Sequence, residues 1–415
     1  MLCITACLAI AQGGGIEVYC YGLSTYSIGD PISSLTTKKA PISFEFTSFD
    51  PVDKQYLTKI IQEDSLALIP NLVCLRISKP SLEVLDFSSL KQLLMLEIEE
   101  ISVSKVKSHI ILPRSLTALR LTSSVSTSFE KLAKTFSKAK KLEEVELNEL
   151  ILKDFVLNPK AMRRLKHLGF YGNTFSASIS DWSGLKSLES LKVVRNEGLV
   201  ISSLTQFPKQ LQFLDISGSY VNSIGDKLWG LNDLRKLWAT DLEEIGQVYA
   251  NELHSESLEA LTIGGDELSI IEDLSGLSNL KSLSIEAPNL SDLPKGLFEL
   301  AQLERLKIYS SVTLSERFWA KIAAMPKLQT LEIESSGMTF GQSSYQTIPS
   351  IVMKSKSLKS IIAPDASQLP QGIENWKGLE SLEIKVTDEN REKLKALDQL
   401  RPEWGLLMNQ LKIHR

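Results

Sequence analysis

Apolar residues recur along this chain in one spaced group, Leu-x-x-Leu-x-Leu or Ile, whose last half alternates with polar side chains. It reads NLVCLRI at 71–77, QLLMLEI at 92–98, SLTALRL at 115–121 and KLEEVEL at 141–147, and it continues to GLESLEI at 378–384, 14 copies in all. Their first leucines stand at 72, 93, 116, 142, 165, 188, 211, 234, 258, 280, 303, 328, 358 and 379, most often 23 residues apart. Alternation at period two predicts a short strand with one buried face. About 17 further residues then carry the chain over the far side and back by one strand spacing, ~4.8 Å, along a parallel sheet. One such unit cannot bury its own leucines, so neighbours must stack.

The return segments carry their own signals. Phe207-Pro208, Leu293-Pro294-Lys295-Gly296-Leu297 and Leu369-Pro370-Gln371-Gly372-Ile373 place a proline where the chain turns, and Leu297, Leu300 and Leu303 mark a helical or 3₁₀ stretch. Both ends read as caps of the stack. Ile42 to Phe46 predicts a strand and Asp53 to Leu66 an amphipathic helix before the first regular copy. After the last copy, Asp388 to Leu400 predicts a helix with Leu394, Leu397 and Leu400 on one face, and Trp404 to Leu407 an edge strand. The expected organisation is therefore 1–15 as a leader remnant or N-terminal strand, 16–70 as N-terminal cap, 71–385 as repeats and 386–415 as C-terminal cap.

Motif and period together resemble the leucine-rich-repeat family, with LPxxLxxL runs similar to bacterial and plant-like members, over about three quarters of the chain. The resemblance implies an α/β leucine-rich-repeat solenoid, a right-handed horseshoe with a parallel concave sheet and mostly irregular, 3₁₀ or short-helical segments on the convex side. It also implies binding of proteins, peptides or glycans through the solenoid surface. The asparagine that such repeats place after each strand is kept only at Asn173 and Asn196; elsewhere stand Ser124, Ser219, Asp266, Ser311 or Thr387, or the apolar Leu150 and Leu242.

Composition adds exclusions. The chain has 415 residues with a net charge of -4, and no cluster of Lys and Arg is dense enough to track phosphates, so nucleic acid is not an expected partner. Cys3, Cys7, Cys20 and Cys74 show no metal-ligand spacing, and nothing in their placement indicates a disulfide-tied cap. The start, MLCITACLAIAQGGG, is too short to span a bilayer and lacks a positive n-region, yet Ile4-Thr5-Ala6-Cys7 resembles a lipoprotein box and Ala9-Ile10-Ala11 a cleavage site. A truncated start would reconcile these facts. Export with a lipid anchor on Cys7, and a plain buried strand in a protein kept inside the cell, both stay open. The four histidines are scattered, and no nucleophile elbow, phosphate loop or zinc-protease motif occurs. Neither catalysis nor a cofactor or metal is expected.

Function then falls to the exposed positions of the strands. Between the second and third leucines the residues run Arg76, Glu97, Arg120, Glu146, Gly169, Lys192, Asp215, Trp238, Thr262, Ser284, Lys307, Glu332, Ile362, Glu383. Alternating signs read as a self-neutralising ladder that keeps the face soluble and in register. The ladder stops at Trp238, Thr262 and Ser284. Beside them Phe213 and Lys236 suggest a shallow apolar depression suited to a partner. A competing reading turns Trp238 inward through a bulge, because Ala239 is undersized for its core slot; a third leaves Trp238 an incidental exposed aromatic. Two more clusters are candidates for partner contact: His167, Tyr171, Lys192 and Arg195 with Asp215, and Arg305, Lys307 and Tyr309 as a basic rim. A protein or peptide ligand is the expected partner, and glycan or cell-wall binding by an exported protein the alternative.

Overall fold

The computed structural model describes residues 10–11, 16–17, 24–26, 42–46, 71–78, 84–99, 109–128, 132–136, 138–152, 155, 158–176, 179, 181–201, 205–221, 228, 230–242, 246–248, 254–336 and 347–402. The helix expected over 53–66, the edge strand over 404–407, Cys7 and the glycine run at 13–15 lie outside these residues. The chain divides into two compact units, Met1–Tyr220 and Val221–Arg415.

In the first unit nine strands join each other in sequence order, each parallel to the next. They are β1 (Ser24–Tyr26), β2 (Ile42–Phe46), β3 (Leu72–Ser78), β4 (Met95–Glu99), β5 (Ala118–Ser128), β6 (Glu144–Leu152), β7 (His167–Tyr171), β8 (Ser190–Val194) and β9 (Phe213–Asp215). Seven more follow in the second unit with the same parallel order: β10 (Lys236–Ala239), β11 (Ala260–Gly264), β12 (Ser282–Ala287), β13 (Arg305–Ser310), β14 (Thr330–Ser335), β15 (Ser360–Ala363) and β16 (Ser381–Ile384). The three leucine-type positions of every copy are at most 6% exposed, from Leu72, Leu75 and Ile77 to Leu379, Leu382 and Ile384. Within each unit the period therefore reports a continuous core. Where the third position is Phe170, its ring meets Phe155, Phe175 and Trp182 edge-on at 5.6, 5.4 and 5.9 Å between centroids.

Left-handed residues follow the strands or, at Glu149, interrupt one. In the first unit Glu149, Gly172, Arg195 and Gly218, spaced 23 residues apart, have φ of 57°, 61°, 51° and 63°. One residue after Gly172 and Arg195 the two asparagines form a ladder. Asn196 Oδ1 accepts from the Asn173 backbone N–H and side-chain amide at 3.0 Å each, and Asn173 Oδ1 accepts from the Leu150 N–H at 3.0 Å. Their amide groups donate to the carbonyls of Leu147 and Phe170 at 2.7 and 2.9 Å. Ser219, at the next such position, supplies one bond only, to the Val193 carbonyl at 2.6 Å. Serine preserves the turn with fewer bonds.

The return segments contain the expected 3₁₀ turns, Leu297–Glu299, Ser350–Lys354 and Ile373–Asn375, and helix α1 (Glu316–Ala324). They also contain short parallel strand pairs in place of irregular chain, Val84–Asp86 with His109–Ile111 and Gln247–Val248 with Ile270–Ile271. These form because Leu85, Ile110, Val248 and Ile271 are buried while their backbones still require partners. Helix α2 spans Asp388–Leu400 as expected, started by a Thr387 capping box with Asn390. Leu394 and Leu397 are buried, but Leu400 is 65% exposed. Three steps of the helix carry it past the edge of the apolar stripe, correcting its place on the buried face.

Cys74 is disulfide-bonded. The other cysteines of the chain, Cys3, Cys7 and Cys20, lie outside the described residues. The spacing gave no sign of this bond because a disulfide joins residues close in space, and the N-terminal strands bring distant segments together.

Candidate functional site

In the first unit the expected row stands in register: Arg76, Glu97, Arg120, Glu146, Gly169, Lys192 and Asp215 lie opposite one another on successive strands. Its alternating signs close into ion pairs. Arg76 Nε donates to Glu97 Oε2 at 2.7 Å, and Arg120 donates to Glu146 at 2.6 Å and to Glu97 at 3.4 Å. Burial works against the Arg120 charge, but Glu146 and Glu97 outweigh it and hold the guanidinium above its ordinary pKa. This stretch is a closed polar ladder.

Gly169 interrupts it. With no side chain there, the Tyr171 ring folds back over the strand, and a Cβ on Gly169 would meet Tyr171 Cε2 at 2.7 Å. Burial, followed by the charges of Glu146 and Asp215, pushes the Tyr171 phenol well above its ordinary pKa. Lys192 Nζ lies 6.0 Å from the Tyr171 ring centre and 5.8 Å from that of Phe213, a cation between two aromatic faces. The His167 side chain is half-buried, and both ring nitrogens are covered with neither hydrogen-bonded. Burial lowers its pKa from the ordinary 6.5, against the opposing pull of Glu189. Arg195 occupies the left-handed turn after β8, and its side chain lies across Gly218.

Two residues of the expected surface are corrected. Phe213 is 3% and Asp215 7% exposed. The Lys192 ammonium lies near the Phe213 ring, and Asp215 Oδ1 accepts from the Ser217 N–H at 3.1 Å. Both side chains are engaged inside the protein.

In the second unit Trp238 faces outward, 43% exposed, while Ala239 is fully buried. β10 pairs with β11 in unbroken register from Lys236 to Ala239, so no bulge turns the indole inward. Opposite Trp238 stand Thr262, then Ser284, then Lys307; one row earlier Lys236, Ala260, Ser282 and Arg305 align. One row later Gly264 faces Glu286, which faces Tyr309. Gly264 is required there because the Glu286 carbonyl fills the space of a Cβ. The result is a band two strands wide floored by small side chains, with larger ones on both sides. Lys307 Nζ is 3.1 Å from Glu332 and 3.8 Å from Glu286. Burial disfavours its charge, yet Glu332 and Glu286 raise its pKa. Lys236 and Arg305 are exposed, and among the described residues neither makes an ion pair.

A second row of charges was readable in the sequence and missed there: the residue directly after the first leucine of each copy. Lys166 Nζ pairs with Glu143 at 2.9 Å, Glu259 takes Arg235 at 2.7 Å and Lys281 at 2.9 Å, and Lys359 pairs with Glu380 at 2.9 Å. The bond from Lys281, then that from Arg235, lowers the Glu259 pKa against its small burial cost. Such exposed pairs set register and solubility more than stability. Among the described residues no three His, Cys, Asp or Glu side chains gather to hold a metal, and no helix is long and apolar enough to cross a membrane.

The parallel strands, the leucine core and the period of about 23 residues define the leucine-rich-repeat fold, and solved structures agree. TLR13 in complex with ssRNA13 is similar at a TM-score of 0.55 and 18% identity over 85% of this chain, which spans about half, 48%, of that one. An internalin of Listeria monocytogenes matches at a TM-score of 0.47 and 17% identity, covering 72% of this chain and 89% of its own. The plant peptide hormone receptor RGFR1 in complex with RGF2 matches at 0.46 and 17%, covering 77% and 56%. No family model and no curated protein matches the sequence.

Proposed function

We propose that the chain is a non-catalytic binding scaffold whose contact surface is the open face of the sheet in the second unit, with a protein or peptide as ligand. The observation that carries this reading is Trp238, 43% exposed beside the small Thr262 and Ser284, with charged side chains to either side of that neutral stretch. An exposed indole next to small neighbours offers large apolar area at low entropic cost, as energetically dominant contact residues do. Within the first unit, Tyr171, Lys192, His167 and Arg195 remain a separate candidate for partner contact.

One structural neighbour is a complex with RNA, so the fold alone does not exclude nucleic acid. The argument against it here is the net charge of -4 and the carboxylates Glu286, Glu332 and Glu383 on the same face. The Cys74 disulfide favours export, because such bonds persist in oxidising compartments. Glycan stacking on a paired Phe213 and Trp238 platform loses support with Phe213 buried. The test is affinity capture from extracellular or cell-surface material with wild type, Trp238→Ala and the far-side control Arg317→Ala. A partner kept by the control and lost with Trp238→Ala supports the site; equal recovery with all three, each folded, refutes it.

A further inference from the structure

Across the row Lys236, Ala260, Ser282, Arg305 two exposed cations face each other over two small residues. Three strand spacings separate them, roughly 14 Å. Lys307, one row on, is already neutralised by Glu332 and Glu286, so it does not compete for an anion. The band thus presents positive charge along one border, Trp238 beside that border, and carboxylate at Glu286 on the other.

We infer that this band takes an extended acidic peptide segment, with carboxylate side chains seated on Lys236 and Arg305 and an apolar side chain between them packed on Trp238. This deepens the proposed function and rests on it. Three features favour this ligand over others. The guanidinium of Arg305 binds a carboxylate through two parallel hydrogen bonds, and an ammonium such as that of Lys236 takes one as a point charge. Ala260, Ser282, Thr262 and Ser284 leave backbone-sized room without a large side chain in the way. Glu332 and Glu334, on the strand past Arg305, would meet the continuous phosphate run of RNA, whereas a short peptide seated on Lys236 and Arg305 stops before them; Glu286, held by Ser284 at 3.0 Å and beside Lys307, keeps further carboxylates off the opposite border.

The experiment is selection of a displayed library of 12-residue random peptides against the full chain, with the recovered peptides synthesised and measured on three variants. Recovered sequences are expected to be enriched in Asp and Glu flanking an apolar residue. Their affinity is expected to fall roughly tenfold or more with Lys236→Ser and Arg305→Ser, and to weaken with added salt. Peptides that lose binding with Trp238→Ala but keep it with both charge variants would overturn the acidic-peptide inference and leave the binding site standing. Indifference to all three variants would overturn both. Selection without acidic enrichment, or tight binding of an oligouridylate that Lys236→Ser abolishes, also overturns the inference. Circular dichroism of each variant verifies that it is folded.

Discussion

At the scale of single residues, alternation decided more than identity. Trp238 points outward because it sits between the inward Leu237 and Ala239, and the small Ala239 did not change that phase. His167 carries a consequence of its own. Both its ring nitrogens are buried without a hydrogen bond and its pKa is lowered by burial, in surroundings that include Glu143, Glu144, Lys166, Glu189 and Lys192. Above pH 6.5 the neutral ring suits both folded and unfolded chains. As pH falls below about 6.5 the unfolded chain takes the proton first, so stability is lost from there down to the lowered folded value. His167→Leu is expected to lose less stability than wild type between pH 7.5 and 5 in denaturant titrations; equal losses would contradict the assignment. Arg195 holds a left-handed φ of 51° where its counterparts Gly172 and Gly218 are free to do so. Arg195→Gly should raise stability by about 0.5–1 kcal/mol in the same assay. Legibility ended at such residues. Nothing in the sequence says that Lys192 lies over Phe213, which depends on side chains from separate copies meeting on one face, or that Tyr171 covers Gly169, which depends on how its ring folds back along its own strand.

At the scale of elements, the place of each repeat strand was legible, because it is fixed by three leucine-type positions that are buried in every copy, but not its length: β5 and β6 run on to Ser128 and Leu152, past the motif. The small strand pairs of the return segments were not. Two or three apolar residues between turns carry too little periodicity to distinguish a strand from loop. Charge pairing was half legible: the row holding Arg120 was readable as a ladder, and the row holding Glu259 showed a similar alternation three motif positions earlier. The turns depend on the asparagine ladder more than on the serines that replace it. Asn196→Ala removes bonds to Asn173 and to the carbonyls of Phe170 and Val194 in a buried setting. Its expected cost is about 2–4 kcal/mol, against about 1 kcal/mol for Ser219→Ala, read as shifts in the denaturant midpoint. Equal costs would show that the ladder is not cooperative.

At the scale of the whole molecule, a repeated motif at a steady period specifies a stack of neighbours, and function is left to whatever the stack exposes. The disulfide at Cys74, on the first regular strand, belongs to this scale, since it ties that strand to a second part of the chain. Peptide mapping without reduction should find Cys74 linked to Cys3, Cys7 or Cys20, and a free Cys74 in freshly purified protein would remove the support for export. The central claim is that the open face of the second unit is the contact surface. Hydroxyl-radical footprinting of the chain with and without its captured partner tests it most directly. The account predicts protection of Trp238 and Tyr309 with Glu316–Ala324 unchanged; protection of Glu316–Ala324 with Trp238 still reactive would contradict it.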